Sequence, residues 1–195
     1  METDMPATFD TTSLIRPALV LIDWQNGFDD EEFWGGNRNN PQANQNAAKL
    51  LDHWRSNDLP IAHVVHHSLN PKSPLRREKQ TGQIQKALTP RKGEPVFHKR
   101  ENGAFVGTDM DGYFRRLNTN RLVMSGLTTN HCVGTSVRMA NNRGYNVHLV
   151  GDACATFDRT GPDGTHYPAQ LIHDMALSDV HGEFCQVIGI TDIIA

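Results

Sequence analysis

The run Ala18-Leu19-Val20-Leu21-Ile22 constrains this chain more than any other stretch. Five consecutive apolar residues following Arg16-Pro17 make a strand with no polar face, and such a strand is buried on both sides. A parallel sheet covered by helices meets that condition, whereas an antiparallel meander with one wet face does not. Further short strand-like runs occur at Ile61–Val65 after Pro60, Pro95–Lys99, Arg121–Met124, Val147–Val150 and Phe184–Ile188. Between them lie helical patterns. From Pro41 to Arg55, Ala43, Ala47, Leu50, Leu51 and Trp54 recur at three- and four-residue intervals; Met110, Phe114 and Leu117 share a face behind Thr108, a candidate cap. A third helix begins near Cys132 and stops at Asn142-Arg143-Gly144, and a fourth runs from about Pro168 to Val180. The alternation predicts a three-layer α/β/α architecture, Rossmann-like, on a six-stranded parallel sheet with right-handed crossovers.

Residues 1–195 are expected to form a single domain, with 1–15 as an N-terminal arm whose Phe9, Leu14 and Ile15 pack on the body or on a second subunit. The segment from His66 to Gly93 contains Pro71, Pro74 and Pro90, and a long irregular stretch of this kind serves as a functional loop or an interface. A formal net charge of −3 supplies no basic field for nucleic acid, and Pro and Glu interrupt the cations of Lys72–Lys79. There is no apolar run of about 18 residues, and METDMPATFD lacks the pattern of a signal peptide, so the expectation is a cytoplasmic protein with no membrane partner. Cys132, Cys154 and Cys185 are odd in number and widely spaced, which suits reduced thiols. The ten His residues form no H-E-x-x-H, and neither phosphate-cradling glycine motif is present.

Three chemically pointed residues fall at equivalent places: Asp23 after the first strand, Lys99 after the third and Cys132 after the fourth. In a doubly wound sheet the carboxyl ends of the strands face one edge, so these residues meet in one crevice. A thiol at a helix N-terminus beside a cation is expected to ionise below its ordinary pKa of about 8.5, within about 3.5–7.5. Asp23 is placed to take the thiol proton and return it to a leaving amine.

Asp23-Trp24-Gln25-Asn26-Gly27-Phe28, then Lys99 with Ala104-Phe105 and Thr108, then Gly126-Leu127-Thr128-Thr129-Asn130-His131-Cys132-Val133 and Gly151-Asp152-Ala153-Cys154-Ala155, follow in order. Together they resemble the isochorismatase-like cysteine hydrolase superfamily, and the likeness runs from Pro17 to Ile188. It implies an Asp23–Lys99–Cys132 triad that hydrolyses amide-like C–N bonds through a thioester acyl-enzyme. It also implies a cis peptide between Leu127 and Thr128, an oxyanion hole from the backbone N–H groups of Thr128 and Cys132, and a homodimer or homotetramer.

Departures from the superfamily's patterns narrow the expectation. Nicotinamidases carry an Asp-x-His metal pair after the second strand, where this sequence has Val65-His66-His67-Ser68-Leu69, so no metal and no cofactor is expected. Isochorismatases proper lack the cysteine, and its presence favours amide, carbamoyl or ureido substrates, as in carbamoylsarcosine, ureidoacrylate and streptothricin hydrolases. Trp24, Phe28, His66, Asn102, Phe105 and His131 lie on loops expected to line a small-molecule pocket. The competing readings are a vinyl-ether hydrolase in which Cys132 is incidental, and a binding or scaffolding protein on the same fold.

Overall fold

The computed structural model describes residues 16–194; the expected arm of residues 1–15 lies outside them. In chain order the strands and helices are β1 (Ala18–Ile22), α1 (Glu31–Trp34), α2 (Ala43–Ser56), β2 (Ile61–His66), β3 (Val96–Lys99), α3 (Met110–Arg116) and β4 (Arg121–Leu127). They continue with α4 (Gly134–Asn141), β5 (Asn146–Ala155), β6 (Arg159–Thr160), β7 (His166–Tyr167), α5 (Ala169–Ser178) and β8 (Gln186–Ile188). Six strands form one sheet in the order β3-β2-β1-β4-β5-β8, and every neighbouring pair is parallel. The chain leaves β3 and crosses over β2 and β1 to form β4 on the far side of β1. That reversal of strand order is where an α/β sheet opens a crevice at its carboxyl edge.

β1 carries its apolar run because it sits in the middle. Ala18, Val20 and Ile22 join a core cluster with Met110 and Phe114 of α3 and Val137 and Ala140 of α4. Leu19 and Leu21, alternating with them, join the opposite cluster with Ala43, Ala47, Leu50, Leu51 and Trp54 of α2. A side-chain period of two thus feeds both cores from five residues. None of the described helices is long and apolar enough to cross a membrane.

Several boundaries depart from the sequence pattern. β4 runs on past Met124, and Gly126 lies inside it opposite Ile22. A Cβ there would stand 2.3 Å from the Ile22 carbonyl oxygen, so only glycine permits β1 and β4 to approach this closely. β5 runs on past Val150 to Ala155, re-pairing with β4 through Cys154 and Ala155 after a register shift between Met124 and Gly126. Thr108 does not cap α3; its hydroxyl donates to the Ala104 carbonyl, and Asp109 occupies the cap position. Leu117 stays largely exposed while Met110 and Phe114 are buried. The β6–β7 hairpin had no strand-like pattern to announce it.

The segment after His66 is irregular, as its prolines require, yet it is knitted to the loop that follows β1. Asn26 N–H donates to the Gln83 carbonyl and Gln85 N–H to that of Trp24. Leu75 and Leu88 are buried beneath it.

Candidate active site

Asp23 is the first residue beyond β1, and its backbone lies in the left-handed region at φ 55°, which Asp enters more readily than most residues. Its N–H donates to the Val64 carbonyl at 2.9 Å, and its own carbonyl accepts from Gln25 N–H at 2.8 Å. The carboxylate is wholly buried. Its Oδ2 accepts a hydrogen bond from Lys99 Nζ at 2.7 Å, while Oδ1 makes none within the protein.

Lys99 ends β3 in register with His66 of β2, so the two side chains stand next to each other on one face of the sheet. Besides Asp23, the Lys99 ammonium has the Glu101 carbonyl at 3.1 Å, His66 Nδ1 at 3.2 Å and Cys132 Sγ at 3.2 Å. Burial opposes its charge, but Asp23 and Cys132 outweigh burial and raise its pKa above the ordinary 10.5. The side chain of Gln25 braces this arrangement from behind: its Nε2 donates to the carbonyls of His66 and Gly82, and its Oε1 accepts from His66 N–H.

Cys132 sits in a wide π-type turn, Thr129–Val133, directly ahead of α4. The peptide bond between Leu127 and Thr128 is cis. The Thr128 carbonyl accepts from the N–H groups of His131 and Val133 at 3.1 and 3.3 Å. Ser136 donates to the Cys132 carbonyl at 2.6 Å and accepts from Ala104 N–H at 3.0 Å, which ties the loop after β3 to the cysteine turn. From the other side, Thr129 Oγ1 bonds His173 Nδ1 of α5 at 2.8 Å, and His173 Nε2 lies 3.2 Å from Asn40 Nδ2.

The direction of the thiol's pKa is opposite to the sequence expectation. Burial, reinforced by the neighbouring Asp23 carboxylate, pushes the Cys132 thiol up to about 12, although Lys99 pulls it down. Desolvation disfavours the anion more strongly than one cation favours it, because that cation already serves Asp23. The resting group is therefore a thiol; a carboxylate oxygen of Asp23 lies within 4.8 Å of its sulfur, and the Oδ1 of that carboxylate has no hydrogen bond within the protein.

Asp23, His66 and Cys132 place donor atoms within 4.8 Å of one another, as metal ligands do. The Lys99 ammonium lies within hydrogen-bonding distance of all three, so a cation of the chain itself stands among them.

The residues expected to line the pocket divide. His66 and Asn102 reach the cluster of Asp23, Lys99 and Cys132, Asn102 Oδ1 lying 3.7 Å from Cys132 Sγ. Trp24 is packed in the core, with its indole N–H on Ser125 Oγ at 3.2 Å. Phe28 is buried in a stack with Trp34 and Phe157, and Phe105 is buried against Tyr145. Their exposures are 1, 2 and 6 % for Trp24, Phe28 and Phe105, so all three belong to the cores on either side of the sheet. His131 is exposed and rests against Arg159 Nη2 at 3.2 Å.

Sequence reasoning did not single out Arg159, Glu101 or Ser136, and it read Gln25 as part of a motif without assigning it a role. Arg159 is half-buried, its Nε has no hydrogen-bond partner within the protein, and among the described residues no carboxylate lies within ion-pair distance. Burial lowers its pKa, and its charge helps burial to lower that of His131. A lone Arg opening a two-residue strand gives no signal, since only the fold brings it beside the residue preceding Cys132. Four surface cavities of about 230, 310, 370 and 430 Å³ open elsewhere, and none of these is lined by Asp23, Lys99 or Cys132.

Comparison with known proteins gives a consistent picture. The isochorismatase domain profile matches residues 17–192. YrdC of Bacillus subtilis, described as an uncharacterized isochorismatase family protein, is 32% identical over 179 residues, 92% of this chain and 95% of its own. The crystal structure of a protein assigned to the hydrolases of the isochorismatase family, from Chromobacterium violaceum, superposes with a TM-score of 0.90 at 40% identity, covering 97% of this chain and 96% of the other. Over a shorter stretch of 83 residues, 43% of this chain and 31% of the other, the ureidoacrylate amidohydrolase RutB of Methylobacterium radiotolerans is 32% identical.

Proposed function

The chain belongs to the isochorismatase family of hydrolases, and on that premise we propose that it is a metal-independent cysteine hydrolase cleaving an amide, carbamoyl or ureido C–N bond of a small molecule. The observation that carries this reading is the unpaired Oδ1 of Asp23, buried beside a buried thiol. Leaving such an acceptor without a donor costs about 1–3 kcal/mol or more, and a general base in waiting gives that cost a purpose. The local likeness to an amidohydrolase supports the choice of bond.

In the proposed reaction Asp23 Oδ1 takes the Cys132 proton as the sulfur attacks the substrate carbonyl. The N–H groups of Thr128 and Cys132 receive the oxyanion, a type of donor worth about 2.7–4 kcal/mol in the transition state. Asp23 then returns the proton to the leaving nitrogen, and the C–N bond breaks to leave a thioester. Water, deprotonated by Asp23, attacks the thioester, and the thiol is restored. Lys99 holds its charge throughout, balancing first the carboxylate and then the sulfur. It also occupies the position that a divalent cation would take among Asp23, His66 and Cys132.

Arg159, cationic and without a carboxylate partner among the described residues, supports a substrate that carries an anionic group. Assembly as a homodimer or homotetramer is part of the same proposal, supported by exposed Leu171 and Met175 on α5, and light scattering tests it. The function is tested by ammonia release from a panel of amides, carbamoyl and ureido acids, with Cys132→Ser and Asp23→Asn alongside. Turnover that disappears in both variants is expected. Turnover that survives Cys132→Ser would instead favour an ether-type hydrolysis without a thioester.

A further inference from the structure

The Lys99 ammonium has three N–H donors but four acceptors within reach: Asp23 Oδ2 at 2.7 Å, Glu101 O at 3.1 Å, and His66 Nδ1 and Cys132 Sγ, both at 3.2 Å. One acceptor must go without, and its identity follows from the protonation of the sulfur. A neutral thiol is a weak acceptor, whereas a thiolate is a strong one. We propose that His66 is a positioning residue that holds the third ammonium proton while Cys132 is a thiol and yields it to the sulfur when the thiolate forms. The inference rests on the cysteine-hydrolase reading of the site and adds a fourth residue to it.

The equal distances make the exchange a rotation of the ammonium without translation of Nζ. In the resting site the thiol S–H faces Asn102 Oδ1 at 3.7 Å, and the three N–H groups bond Asp23 Oδ2, Glu101 O and His66 Nδ1. As the S–H proton passes to Asp23 Oδ1 and the sulfur becomes anionic, the N–H on His66 swings to the sulfur. When the sulfur becomes part of a thioester and is neutral again, the N–H returns. No bond of His66 itself is made or broken beyond this hydrogen bond.

Two features keep His66 fit for the task. Gln25 clamps its backbone at both N–H and carbonyl, so the ring is delivered from a braced strand end. The imidazole must be neutral to accept at Nδ1, and burial together with the Lys99 charge holds its pKa below the ordinary range, against the opposing pull of Asp23 and Glu101. The groups facing it are Lys99 from β3, Glu101 from the loop after β3, Asp23 from beyond β1, Cys132 from the turn after β4, and its chain neighbour His67. With Nδ1 accepting, the ring proton must reside on Nε2.

That tautomer is the first test, read by ¹⁵N NMR of the imidazole in the unmodified protein near neutral pH. The proposal requires a neutral ring protonated at Nε2; a ring protonated at Nδ1, or an imidazolium, overturns it. The second test is the pH dependence of thiolate formation, read by ultraviolet absorbance and Cys132 alkylation in the parent, His66→Leu and His66→Asn. Loss of the competing acceptor in His66→Leu leaves the sulfur as the outlet for the third N–H. The thiolate titration is then expected to move down by about one pH unit, a tenfold gain in thiolate at neutral pH. His66→Asn, whose amide oxygen can stand where Nδ1 stood, is expected to titrate as the parent. An unmoved profile in His66→Leu, or an upward shift in both variants as from general disruption, would refute the exchange. Neither readout requires substrate, so failure to find an amide that the protein hydrolyses would leave this result standing.

Discussion

Replacing Lys99 by Met removes the charge and leaves most of the side-chain volume. In the native site the Lys99–Asp23 pair is separated by 2.7 Å, and neither side chain is exposed. At that distance two unit charges attract by about 6 kcal/mol at an effective dielectric constant of about 20. The desolvation of both groups offsets much of this, so the pair itself adds little net stability. Breaking it is different, because Asp23 then remains a buried carboxylate with no donor on either oxygen. The expected loss is about 3–5 kcal/mol, measured as the fall in unfolding free energy from urea titrations of variant and parent. The double variant Lys99→Met/Asp23→Asn carries no stranded charge and is expected to regain more than half of that loss, while both variants lack turnover. A single variant within about 1 kcal/mol of the parent would refute the reasoning, since the pair would then be behaving as a solvated one. A double variant no more stable than the single one would show that the cost came from packing around the lysine stem.

Gly126→Ala places a Cβ against the Ile22 carbonyl, and prising β1 from β4 is expected to cost about 1–3 kcal/mol. It should lower kcat more than KM, because Asp23 follows Ile22 directly. Alkaline stability should fall between pH 9 and 12, because Cys132, Cys154 and Cys185 all have native pKa values raised from 9.0 to about 12. Each favours the native state below the unfolded value and loses that contribution as pH rises through the native one; thermal unfolding across this range, with Cys154→Ala showing a shallower decline, checks it. Arg159→Gln is expected to raise KM for anionic amides by about 10- to 100-fold and to leave neutral amides unchanged, as steady-state kinetics on matched substrate pairs would reveal.

What the amino-acid sequence determined by itself was the layer plan and the cast of the site. Short, predominantly apolar runs beginning at Ala18, Ile61, Leu122 and Val147 admit few arrangements other than central parallel strands, and strand ends in such a sheet share an edge. Asp23, Lys99 and Cys132 were legible for that reason, since being last on a parallel strand, or just beyond it, is a property of sequence position. The length of β5 beyond Gly151 was not legible, because its pairing depends on a register shift against β4.

Tertiary structure alone decided the electrostatic state of the site and the roles of its neighbours. A helix start and a nearby lysine argued for an acidic thiol, but burial raised it instead, and burial depends on every element that covers the sulfur. Trp24, Phe28 and Phe105 occupy loop positions that read as pocket, yet their rings turn into the core, where packing against α-helical and loop partners sets their direction. Lys99 has four acceptors within reach, and Arg159 lies against His131, through contacts between residues 28 to 76 positions apart or across a short turn. Spacing along the chain carries periodicity and order, but not the ångström-scale distances and desolvation on which hydrogen bonding and proton affinity depend.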